Sequence, residues 1–244
     1  MFAIIRMTDK NTILRKSEIK SERINLPSGD AFFTVTTDKH YGKIPWLRLE
    51  KCLGILRQDI VTKEIITIPK GINITKFFPD ILPRLILINS ATDYIIHHKH
   101  HFRNKSLTIF DERAIYHNYA EQLLPFFRSI KIITPLPDSY KSISEKLLKV
   151  YGFSLVVSDG ETKNSEVIIA HSCKVPIYYE GTLFTNENIY LMNSALCTGR
   201  EIELPDKYER LRPTDIDPML FASALYEKCG EKELGKLRYK DFGC

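Results

Sequence analysis

The chain has 244 residues, enough for one large domain or two smaller ones, each with its own core. With 43% hydrophobic and 27% charged residues it has the make-up of a folded globular protein, which excludes disordered and fibrous classes. The net charge of +5 is unevenly placed: residues 1–105 hold 18 Lys and Arg against 10 Asp and Glu, whereas residues 106–244 hold 17 against 20.

A basic front half can face nucleic acid, an anionic ligand or an acidic partner. Its charges are dispersed rather than clustered, so a solvated surface is the preferred reading. The five cysteines, Cys52, Cys173, Cys197, Cys229 and Cys244, form no CxxC pair, which argues against a disulfide framework or a structural zinc site. The apolar-rich run Ile81–Ile96 contains Pro83, Arg84, Asn89 and Asp93 and is too polar for a membrane span. The N-terminus lacks the pattern of a signal peptide, and a cytoplasmic location is expected by default.

Residues 1–76 read as a small basic β-rich domain. Phe2–Arg6 and Ile13–Ile24 are strand-length runs on either side of an expected turn at Asp9-Lys10-Asn11, and Ala31–Thr36 follows the turn signal Pro27-Ser28-Gly29-Asp30. Pro45 opens a helix in which Trp46, Leu49, Leu53 and Leu56 recur at spacings of three and four. Ile60–Ile68 returns to strand character. Lys39, His40, Tyr41 and Lys43, with Trp46 and Arg48 close behind, mix basic and aromatic groups as a nucleic-acid surface would. A basic turn before an amphipathic helix accounts for the same residues.

Residues 77–105 are expected to form a buried linking helix, running to about His98, and a basic turn. The run His97-His98-Lys99-His100-His101 places His97 and His101 at i,i+4 if the helix continues, a spacing that can chelate a metal. No nearby carboxylate or cysteine completes such a site. A cationic run that favours a helix C-terminus is the preferred account.

Residues 106–244 carry the organising stretch, Leu107–Ser172. Apolar runs at Leu107–Phe110, Ile130–Thr134, Leu155–Val157 and Val167–Ala170 alternate with helical patterns at Ala114–Arg128 and Ser139–Tyr151. Pro125 should kink or end the first helix, and Gly152 fits the left-handed position beyond the second. The alternation predicts an α/β fold: a Rossmann-like parallel sheet with crossover helices. Past Ser172 the pattern loosens. Pro176–Tyr179, Ile189–Met192 and Glu201–Leu204 are short strand candidates, Thr214–Pro218 resembles a capping box for a helix through Tyr226, and the charged tail Glu231–Cys244 is expected to pack loosely.

In such sheets ligands bind beyond the carboxyl ends of the strands, which nominates Asp111–Arg113, Thr134–Pro137, Ser158–Gly160 and Ala170–Lys174. A pyrophosphate needs close backbone N–H groups, usually supplied by a glycine-rich turn. Here the first strand ends in Asp111-Glu112-Arg113-Ala114, and no glycine lies between Asn104 and Tyr151. Two carboxylates at a helix start repel phosphate, so Asp111 is expected to cap the helix, with Arg113 offsetting the charge. The second strand ends in Thr134-Pro135 instead of the acidic residue that holds the ribose of NAD.

Asn164-Ser165-Glu166-Val167-Ile168-Ile169-Ala170-His171-Ser172 resembles the end of the fourth strand in shikimate-dehydrogenase-like and glutamyl-tRNA-reductase-like Rossmann domains. The resemblance covers nine residues of general α/β pattern. It implies a strand end beside a nicotinamide, which would implicate His171 and Ser172. Thr108-Ile109-Phe110-Asp111 followed by Ile132-Ile133-Thr134 is similar to the nucleophile motif of haloacid-dehalogenase-like phosphatases, but Arg113 stands where that family carries its second Asp.

Every catalytic constellation in the sequence lacks a member. The expected function is therefore a non-catalytic ligand- or partner-binding role on a degenerate Rossmann-like domain, with Thr134, His171, Ser172, Asp111 and Arg113 as the candidate contact residues and the cofactor unknown. The partner would be a small molecule or a protein. An NAD(P)-dependent oxidoreductase or other nucleotide-binding enzyme with a diverged phosphate loop is the alternative, and nucleic-acid binding through the basic half is the second.

Overall fold

The computed structural model describes residues 1–12, 18–40, 43–160, 165–171, 179–187 and 195–244. In chain order the first elements are β1 (Ala3–Thr12), β2 (Ile19–Asn25), β3 (Ala31–His40), α1 (Trp46–Leu53) and β4 (Ile60–Val61). Then come α2 (Ile81–His97), α3 (Lys99–Phe102), β5 (Lys105–Phe110), α4 (His117–Leu123), β6 (Phe127–Ile133) and α5 (Lys141–Tyr151). The remainder holds β7 (Val156–Ser158), β8 (Val167–Ile169), β9 (Thr182–Phe184), β10 (Ala195–Cys197), α6 (Asp206–Glu209) and α7 (Pro218–Cys229). Two compact units form, one of Met1–Leu82 with Leu204–Gly235 and the other of Pro83–Glu203 with Lys236–Cys244.

The first unit is built on a mixed sheet of order β2-β3-β1-β4. β1 pairs parallel with β3 and β4, and β2 pairs antiparallel with β3. The turn expected at Asp9-Lys10-Asn11 does not form: β1 runs through it, and a register shift between Met7 and Asn11 takes up the irregularity. Residues 13–17 of the expected second strand lie outside the described residues. The strand expected at Ile60–Ile68 shrinks to Ile60–Val61, because the chain turns where the Ile66 N–H donates to the Lys63 carbonyl.

On α1 the residues Trp46, Leu49 and Leu53 are buried, as the three–four spacing requires. They join Ala3, Ile5, Val35 and Ile60 in one apolar cluster. Each fully buried aliphatic side chain there contributes roughly 1.5–3 kcal/mol. α7 starts at Asp217, whose carboxylate accepts the Leu220 N–H at 2.9 Å, with Pro218 in the first turn. It ends at Gly230, in the left-handed region with φ 71°. The cap is thus Asp217, the last acid of the expected capping stretch.

The second unit carries a six-stranded sheet of order β10-β9-β8-β5-β6-β7, parallel throughout. Counted from β5, this is the doubly wound 3-2-1-4-5-6 order of the Rossmann fold, and the α/β expectation stands. Leu107, Thr108 and Ile109 of β5 and all of β8 are buried, as in a sheet covered on both faces. Leu87, Ile88, Ala91 and Ile95 of α2 belong to the core of this unit.

The helices of this unit depart from one expectation and agree with another. The helix expected over Ala114–Arg128 spans only His117–Leu123, since Pro125 diverts the chain through a 3₁₀ turn into β6 at Phe127. α2 ends at His97, and a break at His98 separates it from α3, so His97 and His101 do not share one continuous helix. The His97 and His98 Nδ1 atoms instead lie within hydrogen-bond distance of the carbonyls of Asp93 and Tyr94.

The charged tail, finally, does not pack loosely. Leu234 is fully buried, the Phe242 ring stacks on Tyr239 and Phe184, and Cys244 is disulfide-bonded to Cys197. The pairing joins residues 47 apart, a separation in which no spacing motif is visible. No helix among the described residues is long and apolar enough to cross a membrane.

Candidate functional site

The sheet register decides which of the nominated residues meet. Ile109 of β5 is level with Ile132 of β6 and Ile169 of β8, and Ile169 is level with Phe184 of β9. Two residues further, Thr134, Asp111, His171 and Asn186 continue the row beyond the carboxyl ends of neighbouring strands, with strands about 4.8 Å apart. The ladder persists into this row: the Asp111 N–H donates to the Ile133 carbonyl, and the Thr134 N–H to that of Ser158. The switch point lies between β5 and β8, so Asp111 and His171 flank it. Asp111 and Thr134 are therefore on adjacent strand ends, and His171 stands across the switch point from Asp111. Arg113 sits exposed in the loop after Asp111, and Ser172 lies outside the described residues.

Asp111 is 1% exposed and turned inward. Its Oδ2 accepts the Tyr116 N–H at 2.8 Å and a short hydrogen bond from the Tyr140 hydroxyl. Oδ1 is buried without a hydrogen-bond partner among the described residues. Asp111 is not the expected helix cap. The amide it holds belongs to the loop before α4, and no side chain caps that short helix.

Burial first, and then the Asp111 charge, pushes the Tyr116 and Tyr140 hydroxyls well above the ordinary phenol range, so both remain donors. Tyr116 uses its hydroxyl on the Arg84 carbonyl at 3.0 Å. The Arg84 guanidinium, itself largely buried, pairs with Glu112 at 2.8 Å. The Tyr140 ring packs against His117 with centroids 4.5 Å apart.

The turn after β5 still needs the backbone that glycine usually supplies. Ala114 takes φ 52°, in the left-handed region, and its N–H closes a turn on the Asp111 carbonyl at 3.3 Å. An L-residue with a Cβ gives up roughly 1–2 kcal/mol there. The turn is held by the Asp111 carboxylate, which takes the Tyr116 amide and the Tyr140 phenol. Thr134 is equally enclosed at 1% exposure, with Oγ1 accepting the Leu136 N–H at 3.1 Å.

Across the switch point the Asn186 amide nitrogen lies 2.9 Å from His171 Nδ1 and 3.1 Å from the Pro83 carbonyl. The two N–H groups of one amide can serve both acceptors. The Asn186 Oδ1 is buried without a hydrogen-bond partner among the described residues, as is the Ser158 Oγ at the end of β7.

Sequence reasoning missed Tyr140, Tyr116, Arg84 and Asn186. Tyr140 had one signal, its place at the end of the Pro137-Asp138-Ser139 turn after the second strand. Asn186 had none, because β9 and β10 are three residues each and were not recognised as strands. Among the described residues, no group of three or more His, Cys, Asp and Glu is arranged to hold a metal.

Strand order and switch point define a Rossmann-like α/β unit, and the comparisons with known proteins go no further. No family model matches the sequence, and no curated protein matches it. Among solved structures, the crystal structure of L-tryptophan dehydrogenase from Nostoc punctiforme is similar, with 8% identity and a TM-score of 0.34. The match covers 85% of this chain and 64% of that protein, so the chain spans less than two thirds of its length.

Proposed function

We propose that the α/β unit is a binding scaffold without catalytic function, whose ligand or partner is not a dinucleotide. One observation carries the reading: the Asp111 side chain, bonded to Tyr116 and Tyr140, fills the turn where a pyrophosphate would need bare amides. A negative charge buried there opposes phosphate, and Glu112 beside it adds to the opposition. His171, with Arg113 at the exposed edge of the loop, remains proposed to meet a small polar molecule or a protein partner, whereas Thr134 is enclosed and bonded to its own loop.

The test is a thermal-shift titration of the whole chain with NAD, NADP and ATP at millimolar concentration. Binding to the native state alone raises the melting temperature by mass action, so no shift is expected. A rise of several degrees with any of them would overturn the proposal and favour the alternative, a nucleotide-binding enzyme with a diverged phosphate loop. The observation on that side is the strand order, which is that of dinucleotide-binding domains.

A further inference from the structure

We propose that the first unit carries a separate binding site for a small amphipathic carboxylate, with an unbranched or aromatic apolar body. The site is a cavity of about 480 Å³, within the range of small-molecule pockets at roughly 300–1,000 Å³. Its lining is mostly apolar. Ile60 and Phe77 are buried, while Ile65 and Phe78 stand at the edge 86% and 74% exposed. Two large apolar side chains held in water beside a hollow are an arrangement that a bound apolar body would relieve.

The charges around the cavity select the head group. Asp215 is shared by two cations, Arg6 at 3.3 Å and Lys63 at 3.5 Å, so one carboxylate serves two positive charges. Asp217 is engaged as the cap of α7, next to the positive end of that helix. Among the described residues Lys76 bonds a neutral group, the Glu64 carbonyl at 3.1 Å, and no carboxylate. The remaining acid of the lining is the exposed Glu64 side chain, which stays solvated. A carboxylate head therefore meets Lys76 and the half-compensated Lys63, whereas an ammonium head would find its free acid only in solvent.

Calorimetric titration of the whole chain with octanoate, 1-octanol and octylammonium tests the assignment. Octanoate should bind at least tenfold more tightly than the alcohol, and the ammonium least well. Across hexanoate, octanoate and decanoate, each below its micelle concentration, affinity should rise about fourfold per methylene until the cavity is full. K76E should lose octanoate by tenfold or more and gain octylammonium. F78A, at an exposed position that leaves the fold intact, should weaken all three ligands alike. Equal or tighter binding of octylammonium, an octanoate affinity untouched by K76E in a protein that melts like the parent, or no octanoate binding at millimolar concentration would each overturn the proposal.

Discussion

At the carboxyl ends of β5 and β6, the α/β unit turns its polar side chains on one another: Asp111 on Tyr116 and Tyr140, Thr134 on its own loop. In the mixed-sheet unit, by contrast, Ile65, Phe78 and Lys76 border a cavity that no described side chain of the unit fills. In the α/β unit the strand-end carboxylate and threonine are engaged within the protein, whereas in the mixed-sheet unit large apolar side chains stand exposed beside a hollow. Topology says where a crevice can form. Side-chain chemistry decides whether it stays open, and the two must be argued separately.

The largest effect that would break this comparison is expected at Asp111. D111A leaves the Tyr140 hydroxyl and the Tyr116 amide buried without their acceptor, and should destabilise the α/β unit by about 3 kcal/mol or more. Y140F removes one donor and should cost less, about 2 kcal/mol. Hydrogen exchange followed on peptides of β5, β6 and α5 should show protection falling by roughly two orders of magnitude in D111A. Trp46, the one tryptophan of the chain, is buried in the first unit and monitors that unit by fluorescence. If D111A exchanges like the parent, the carboxylate is not what orders these strand ends, and the contrast between the units fails.

Much of the fold was legible because its longer elements repeat a clear signal. α1, α5 and α7 carry apolar faces or caps that local chemistry alone dictates, and β5 and β6 are centred on the apolar residues Leu107, Ile109 and Phe110, and Ile130, Ile132 and Ile133. Gly152, in the left-handed region with φ 65°, closes α5 as expected. The short strands were not legible, since three residues such as Thr182-Leu183-Phe184 show no period. β1 was misjudged for the opposite reason: its polar Asp9-Lys10-Asn11 looks like a turn, and only pairing with β3 keeps it extended. At the candidate site, sequence supplied the row of strand ends but not its chemistry. The partner of Asp111 lies 29 residues away at Tyr140, and that contact exists only once β6 and α5 are in place.

A smaller effect sharpens the other side of the comparison. D217A removes the acceptor of the Leu220 N–H at the start of α7 and should lower the stability of the first unit by about 1 kcal/mol. The change should appear in urea unfolding followed by Trp46 fluorescence. It should leave exchange in β5 and β6 unaltered, because the cap belongs to the unit with the open cavity. Loss of protection in both places would mean that the units cannot be perturbed separately.

The smallest expected effect lies at the other end of the parallel sheet, where Glu166 leads into β8. Its Oε2 accepts the Ser106 N–H at 2.8 Å and the Ser106 hydroxyl at 3.0 Å, with Arg128 also at 3.0 Å. The backbone N–H of Ser106 is the main cause holding this carboxyl below its usual range. A carboxyl depressed in the folded state binds its proton less readily than in the unfolded chain. The stability it confers is therefore fully present above the unfolded value of about 4.3 and disappears as pH falls through the lower folded value. With the side chain 45% exposed, solvent screening keeps the contribution below about 1 kcal/mol. The stability difference between the parent and E166Q should accordingly be present at pH 6 and shrink steadily below pH 4. A difference that stays constant across that range would show that the Glu166 charge adds nothing, and that the link between β5 and β8 rests on hydrogen bonds a neutral amide makes equally well.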